Sequence, residues 1–165
     1  LTIRGAYPVF NYEQTHAQMY GLDLSTKYKI TEGIDYSLEY SYLKGNNLTE
    51  DLPLIFMPAN RLRSELQYTK SKLENWENPS ISITGSYTFK QDHLNHSQDF
   101  MPAPDAYFLL GAKISIEKQI QKKRMNLYLQ IDNLLNANYR DYLNRLRYFA
   151  NEQGRNIVLG LVMNY

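Results

Sequence analysis

The sequence predicts an all-β fold: an antiparallel up-and-down transmembrane β-barrel segment of about seven strands, incomplete as a barrel. Three observations lead there. Apolar and polar residues alternate with period 2 along long stretches of the chain. Tyrosine is abundant, with 15 Tyr against 6 Phe and 1 Trp, although the mean hydropathy is polar at −0.54. Short and long connections follow one another in turn, as in membrane barrels with tight turns at one end and longer loops at the other.

The strands are expected at 16–30, 34–46, 60–71, 79–92, 105–119, 124–137 and 155–165. In the first, Tyr20, Leu22, Leu24 and Tyr28 stand against Gly21, Asp23, Ser25 and Lys27. In the second, Tyr36, Leu38, Tyr40 and Tyr42 stand against Ser37, Glu39 and Ser41. Leu62, Ser64, Leu66 and Tyr68 oppose Arg63, Glu65, Gln67 and Thr69 in the third. The clearest pattern follows, with Ile81, Ile83, Gly85, Tyr87 and Phe89 interleaved with Ser82, Thr84, Ser86, Thr88 and Lys90. Phe108 to Ile116 and Leu127 to Ile131 repeat the rule, and Ile157, Leu159, Leu161, Met163 and Tyr165 share one side of the last strand. Soluble strands run to about 5 or 6 residues, whereas a tilted strand needs about 9 to 11 to cross a bilayer. Leu22, Leu38, Leu66, Ile83, Ile114, Leu129 and Leu159 should therefore share one face, and Asp23, Glu39, Glu65, Thr84, Lys113 and Gln130 the other, because a one-residue slip would invert every side chain.

Turns are expected near 31–33 and 121–124, longer loops near 46–59, 93–104 and 139–154. The intermediate connection 71–78 goes to the turn side by parity, which leaves the C-terminus at the periplasmic end. Single-chain bacterial barrels close with an even strand number, since open edges leave backbone groups that lipid cannot satisfy. Seven strands thus imply either an eighth within 1–15 or a piece of a larger barrel. The opening Leu1, Thr2, Ile3 and Arg4 include no initiator Met and no secretory signal, so a processed or excised chain is expected.

Composition excludes several classes. With 18 basic and 17 acidic residues the formal charge is +1, so no nucleic-acid partner is expected. Cysteine is absent, which removes disulfides and thiolate metal sites. No apolar run reaches the roughly 18 residues of a transmembrane helix. Tyrosine suits a membrane interface, because its ring is apolar and its hydroxyl seeks water.

Few residues invite chemistry. His93, His96 and Asp99 are metal-ligand types in one loop, but solvated loop side chains explain them more simply, and no metal site or cofactor is assigned. Asp23, Glu39, Glu65 and Asp132 on polar strand faces suit a wetted, cross-paired lumen better than a catalytic pair. There is no nucleophile elbow or Gly-rich phosphate loop, so no enzyme is expected. Gln121, Lys122, Lys123 and Arg124 form a basic turn, read as a solvated hairpin tip or a contact to anionic lipid.

The end of the chain is the most specific signal. Ile157, Leu159, Leu161, Met163 and the terminal Tyr165 match the alternating, aromatic-ended strand read by the barrel-assembly machinery. Before it, Asn133, Leu134, Leu135, Asn136 and Tyr139, followed by Gly154, Arg155 and Asn156, resemble the end of TonB-dependent outer-membrane receptors, with Leu135 where an aromatic is usual. Ala17, Gly21 and Asp23 are similar to that family's Ala-Gly-Glu strand opening, with Asp in place of Glu, and Pro53 and Pro58 before Arg61 and Leu62 to its Pro-rich descent.

The resemblance spans nearly all of residues 1–165 and implies the C-terminal portion of a 22-stranded receptor whose plug domain and TonB-contacting segment precede Leu1. It implies active uptake across the bacterial outer membrane of a scarce small nutrient such as a ferric siderophore or haem, powered through TonB. The implied partners are outer-membrane lipid, TonB through the missing N-terminal parts, the barrel-assembly machinery and the nutrient. Two other readings stay open: a complete eight-stranded outer-membrane barrel with a structural or adhesive role, and a soluble β-barrel binding module with its apolar residues inside.

Overall fold

In the computed structural model, residues 14–95, 99, 101–121 and 123–164 are described. They form one antiparallel sheet whose seven main strands follow chain order: β1 (Ala17–Thr31), β2 (Ile34–Asn47), β4 (Arg61–Thr69), β6 (Trp76–Thr88), β7 (Tyr107–Ile120), β8 (Lys123–Asp132) and β9 (Asn156–Asn164). Two-residue strands β3 (Leu52–Pro53) and β5 (Lys72–Leu73) lie off this path, on β2 and β6. β1 has 15 residues and β2 and β7 have 14, beyond what one bilayer crossing needs. Among the described residues β1 and β9 do not pair, so the sheet has two open edges. The sequence span proposed for an eighth strand falls mostly on residues 1–13, outside those described.

Cross-strand partners in an antiparallel sheet share a face. The pairs Leu66↔Ile83, Ile83↔Ala112, Ile114↔Leu129 and Leu129↔Leu159 carry one apolar face across five strands, and Leu22↔Tyr42 and Tyr36↔Leu66 extend it to β1. Glu39↔Arg63, Glu65↔Thr84 and Lys113↔Gln130 carry the polar face. The two predicted sets do not mix. A concavity is lined on the polar side by Arg63, Glu65, Thr84, Lys113 and Gln130, so the sheet curves with its polar face inward. Ile83 is 50% exposed and Leu159 72% on the convex side. A soluble barrel needs the opposite polarity, so the open sheet contradicts that reading.

Turn chemistry sets the strand limits. Gly33 adopts φ +79° between β1 and β2, and a Cβ there would stand 2.4 Å from the Thr69 carbonyl oxygen, so the turn needs glycine. Ile120 pairs with Lys123 across a two-residue turn, with Gln121 left-handed at φ 55°. The connection at 71–78 is itself a small hairpin, in which Leu73 pairs with Trp76 around Glu74 at φ 53°, so β6 starts earlier than the sequence suggests. β8 stops at Asp132 and not near 137, because Asn133 turns the chain at φ 49°.

The longer connections gather at the other end and pack on one another. Gln91 Nε2 donates to the Met57 and Pro58 carbonyls at 2.8 and 3.1 Å, and His93 Nε2 lies 2.7 Å from Asn46 Oδ1. A 3-10 turn, Arg145–Tyr148, is capped by Asn144, whose side chain accepts the Leu146 N–H.

Candidate functional site

The inward wall is a set of short polar side chains and cross-paired charges. Arg63, on β4, reaches Glu39 Oε2 at 3.5 Å and Glu65 Oε2 at 3.1 Å. Thr84 Oγ1 donates to the same Glu65 oxygen at 3.1 Å, and Gln130 Nε2 to Asp132 at 2.8 Å. Lys113 Nζ stands 4.7 Å from the centre of the Tyr128 ring. The concavity bounded by Arg63, Glu65, Thr84, Lys113, Gln130 and Asp132 measures about 470 Å³. Of the four carboxylates singled out in the sequence, Glu39 and Glu65 are bridged by Arg63, Asp132 accepts from Gln130, and Asp23 pairs across to Ser41. Arg63 is nearly half exposed, so its ion pairs are worth about 0–1 kcal/mol at most and order the wall more than they stabilise it.

Above this wall the connection 133–155 leans onto the sheet. Asp141 lies 3.6 Å from Arg61 Nη2, on β4, and accepts the Tyr107 hydroxyl from β7 at 2.7 Å. The Tyr107 and Tyr139 rings pack with centroids 4.5 Å apart. Burial, then the charges of Glu152 and Asp141, push the Tyr139 phenol above its usual range against the pull of Arg61. Arg61, Tyr107, Tyr139, Asp141 and Glu152 line a second recess at the loop end of the wall, continuous with Ser86 and Thr88 on β6.

The structure brings the sequence-predicted motif residues together as a clasp between β8 and β9. Asn133, 5% exposed, accepts the Ala137 N–H at 2.8 Å and donates through Nδ2 to the Ala137 carbonyl at 2.9 Å. Leu134 N–H continues the sheet to the Leu110 carbonyl at 2.7 Å. Asn136 Oδ1 accepts the Arg155 N–H at 2.9 Å, while Arg155 Nε donates to the Leu134 carbonyl at 2.9 Å. A Cβ on Gly154 would lie 2.7 Å from Asn136 Oδ1, so glycine admits the contact. Asn156 opens β9 opposite Asp132, and Tyr139 closes the far end by accepting the Glu152 N–H at its carbonyl. In β9, Ile157, Leu159, Leu161 and Met163 all stand on the outward face, and Tyr165 lies outside the described residues.

The sequence reading missed Arg147. It is 3% exposed, with its guanidinium 4.8 Å from the Tyr142 ring centre and 4.6 Å from that of Tyr148. Nη2 meets Asp99 Oδ2 at 2.5 Å, and Tyr148 donates its hydroxyl to Asp99 Oδ1 at 2.8 Å. Burial alone would raise the Asp99 carboxyl, but hydrogen bonds from Tyr148, Arg147 and the Met101 N–H, with the Arg147 charge, hold it below its usual range. Asp99 and His93 therefore each have protein partners, and His96 lies outside the described residues. Among the described residues no three His, Cys, Asp or Glu side chains cluster as metal ligands. A buried Arg between two Tyr was foreshadowed only by the density of Arg and Tyr in 139–149.

No protein-family profile and no curated protein sequence matches the chain. Among solved structures it is similar to the copper transporter OprC, with a TM-score of 0.73 at 18% identity. The likeness covers 89% of this chain and 23% of that one, so the chain spans about a quarter of the length of that structure. At this identity the likeness establishes the fold of the sheet.

Proposed function

We propose that this chain is the C-terminal part of an outer-membrane barrel that takes up a small nutrient, with TonB as the energy source. One observation carries the reading: the convex face of a long-stranded antiparallel sheet is predominantly apolar, the concave face carries every carboxylate of the main strands, and the two predicted residue sets fall on opposite faces. A bilayer matches the first face and a wetted lumen the second. Outward aromatics support it near both ends of the strands, Tyr20, Tyr42, Tyr87 and Phe108 toward the loops, and Tyr28, Tyr36, Tyr68 and Trp76 toward the turns, with Tyr40 between them. Tyr20 and Tyr28 are separated by about 26 Å of strand at ~3.3 Å per residue, which a ~40° tilt projects to about 20 Å, near the height of a membrane-barrel apolar band.

The motif order at the C-terminal end and the likeness to a copper transporter support this reading of cargo and coupling. A ferric chelate, haem and copper are the candidate classes, each scarce enough to need powered import. A plug and TonB-contacting segment belong to the complete protein, and the C-terminal strand serves as its assembly signal. The wall described here would supply lumen and mouth, not a catalytic centre.

The test uses the complete reading frame in cells. The protein is expected in the outer-membrane fraction with heat-modifiable migration, and uptake of labelled ferric siderophore, haem or copper should disappear when TonB is deleted. Recovery as a soluble protein would overturn the membrane reading. Uptake that persists without TonB would overturn the energy coupling.

A further inference from the structure

We propose that Tyr128 and Gly160 form a ring-in-notch device that selects the register of the last strand, β9, with Lys113 holding the ring in place. Alternation alone leaves that register open. A slip of one residue turns every side chain to the wrong face and is excluded, but a slip of two keeps apolar residues outward and polar residues inward. Contacts on the faces themselves have to separate residue 128 opposite 160 from residue 128 opposite 158 or 162. The clasp acts at the loop end, where Asp132 meets Asn156, four pairs away.

Tyr128 stands on the inward face of β8, opposite Gly160 of β9 and Ser115 of β7. Its ring lies across β9. A Cβ on Gly160 would stand 2.1 Å from Tyr128 Cζ and 2.4 Å from both Cε1 and the hydroxyl oxygen, so the ring fills the space that any other side chain would need. Two residues to either side on the same face of β9 are Val158 and Val162, opposite Gln130 and Asn126. A slip of two would bring one of these branched side chains under the ring, and the ring would have to leave. Lys113 opposes that departure, because its Nζ sits 4.7 Å from the ring centre and the cation–π contact is lost when the ring swings away. A ring laid over a cross-strand glycine also covers backbone that the glycine leaves bare. Lys113, Tyr128 and Gly160 thus join three strands along one diagonal of the inward wall. Gly111 shows the contrast, since it lies on the same face opposite Thr84, but a Cβ there would meet nothing nearer than 3.5 Å and it makes no notch.

Disulfide trapping in the full-length protein reads register directly. A disulfide needs Cα atoms about 4.4–6.8 Å apart, which directly opposed residues satisfy and residues two positions off, at about 7–8 Å, do not. Leu129→Cys with Leu159→Cys therefore reports the register of the structure, and Leu129→Cys with Leu161→Cys reports a slip of two. Asn136→Ala, which removes the clasp's contact to the Arg155 N–H, is the common background, and in it the first disulfide should still dominate. Moving the notch by Gly160→Val together with Val162→Gly should lower the ratio of the first disulfide to the second by roughly fivefold or more, the upper worth of one cross-strand pair. Adding Tyr128→Ala should bring the ratio to that of Tyr128→Ala alone, because without the ring the position of the glycine no longer matters. Gly111→Ala should leave the background ratio unchanged. A ratio that stays put when the notch is moved, or that moves equally with and without Tyr128, would overturn the proposal, since the glycine would then act through strand propensity alone. If the notch-shifted variant fails to fold, Tyr128→Ala by itself still decides: it should raise the slipped disulfide roughly fivefold over the background, and an unchanged ratio would overturn the device.

Discussion

The sheet and the loop end are stabilised in opposite ways. Every residue that is buried among those described stands at or beyond the loop end of the strands: Met57, Thr88, Gln91, Asn95, Ala103, Asn133, Tyr142 and Arg147, with Gly45. Apart from Gly45 near the loop end of β2 and Thr88 at the loop end of β6, the described strand residues hold none, although they carry Leu, Ile and Tyr on one face. A soluble domain concentrates burial in its regular elements and leaves loops wet. Here the sheet presents both faces to surroundings outside the chain, and the loops supply a small core of their own. The difference teaches that the sheet depends on its medium for stability, while the loop layer carries its packing with it.

The largest effect should come from breaking that core. Arg147→Ala removes the buried cation, strands the Asp99 carboxylate and empties the space between Tyr142 and Tyr148, which should cost the loop layer about 3–5 kcal/mol. Hydrogen exchange in 89–106 and 133–155 should accelerate while the strand amides stay protected. Loss of protection throughout the sheet would show that the loop layer is not separable. Acid should mimic the variant. Because the Asp99 carboxyl titrates below its unfolded value of about 3.9, its contribution is present above that pH and is lost as pH falls through the lower folded value. The Tyr142 and Tyr148 phenols are raised, mainly by burial, so their contribution is complete below about pH 10 and lost as pH rises through the higher folded values. Exchange in the two loops should therefore have an acid and an alkaline limb.

The sheet's dependence on its medium gives the next effect. Ile83→Lys puts a charge at the middle of the outward face, and should cost about 2–4 kcal/mol in lipid vesicles. Thr84→Lys, one residue away and inward beside Glu65, should change stability by no more than about 0.5 kcal/mol. Urea titration of the full-length protein in vesicles measures both. Equal costs would mean that the convex face does not meet lipid.

This contrast also explains what could be read from the sequence. Alternation has a period of two because successive side chains point to opposite faces, so all seven main strands and both faces were legible. Strand ends were less so. Asn133 is a residue type that favours left-handed backbone, but Glu74 and Gln121 are not, so the connections at 71–78 and 121–124 were legible while the left-handed residue within each was not. The loop core joins residues such as Asp99 and Arg147, 48 positions apart, and no periodicity links them. The clasp was legible only as a resemblance, through Asn133, Asn136, Gly154 and Arg155, and the hydrogen bonds now give those residue types a reason. Gly154→Ala should push Asn136 off the Arg155 N–H, an overpacking cost of about 1–3 kcal/mol. Faster exchange at the Arg155 amide than at the Leu159 amide would report it; an unchanged Arg155 amide would show that the clasp yields without loss.

A small effect on stability should fall at the end of β9, and its value lies in separating stability from assembly. Tyr165 follows a strand whose outward residues run through Ile157, Leu159, Leu161 and Met163. The alternation of β9 leads to the expectation that Tyr165 is an interface residue, and interface positions tolerate charge, so Tyr165→Asp should cost only about 0–1 kcal/mol in an already inserted barrel. If the strand is also read by the assembly machinery, Tyr165→Asp or deletion of residues 163–165 should lower the heat-modifiable, membrane-inserted fraction in cells far more than that energy implies. Tyr28→Asp is the control, because Tyr28 is an outward tyrosine at the turn end of another strand and is 65% exposed. A deficit at Tyr165 without one at Tyr28 assigns the terminus a recognition role beyond packing. Equal deficits would place the effect in the aromatic level itself, and no deficit at either would remove the assembly signal from this terminus.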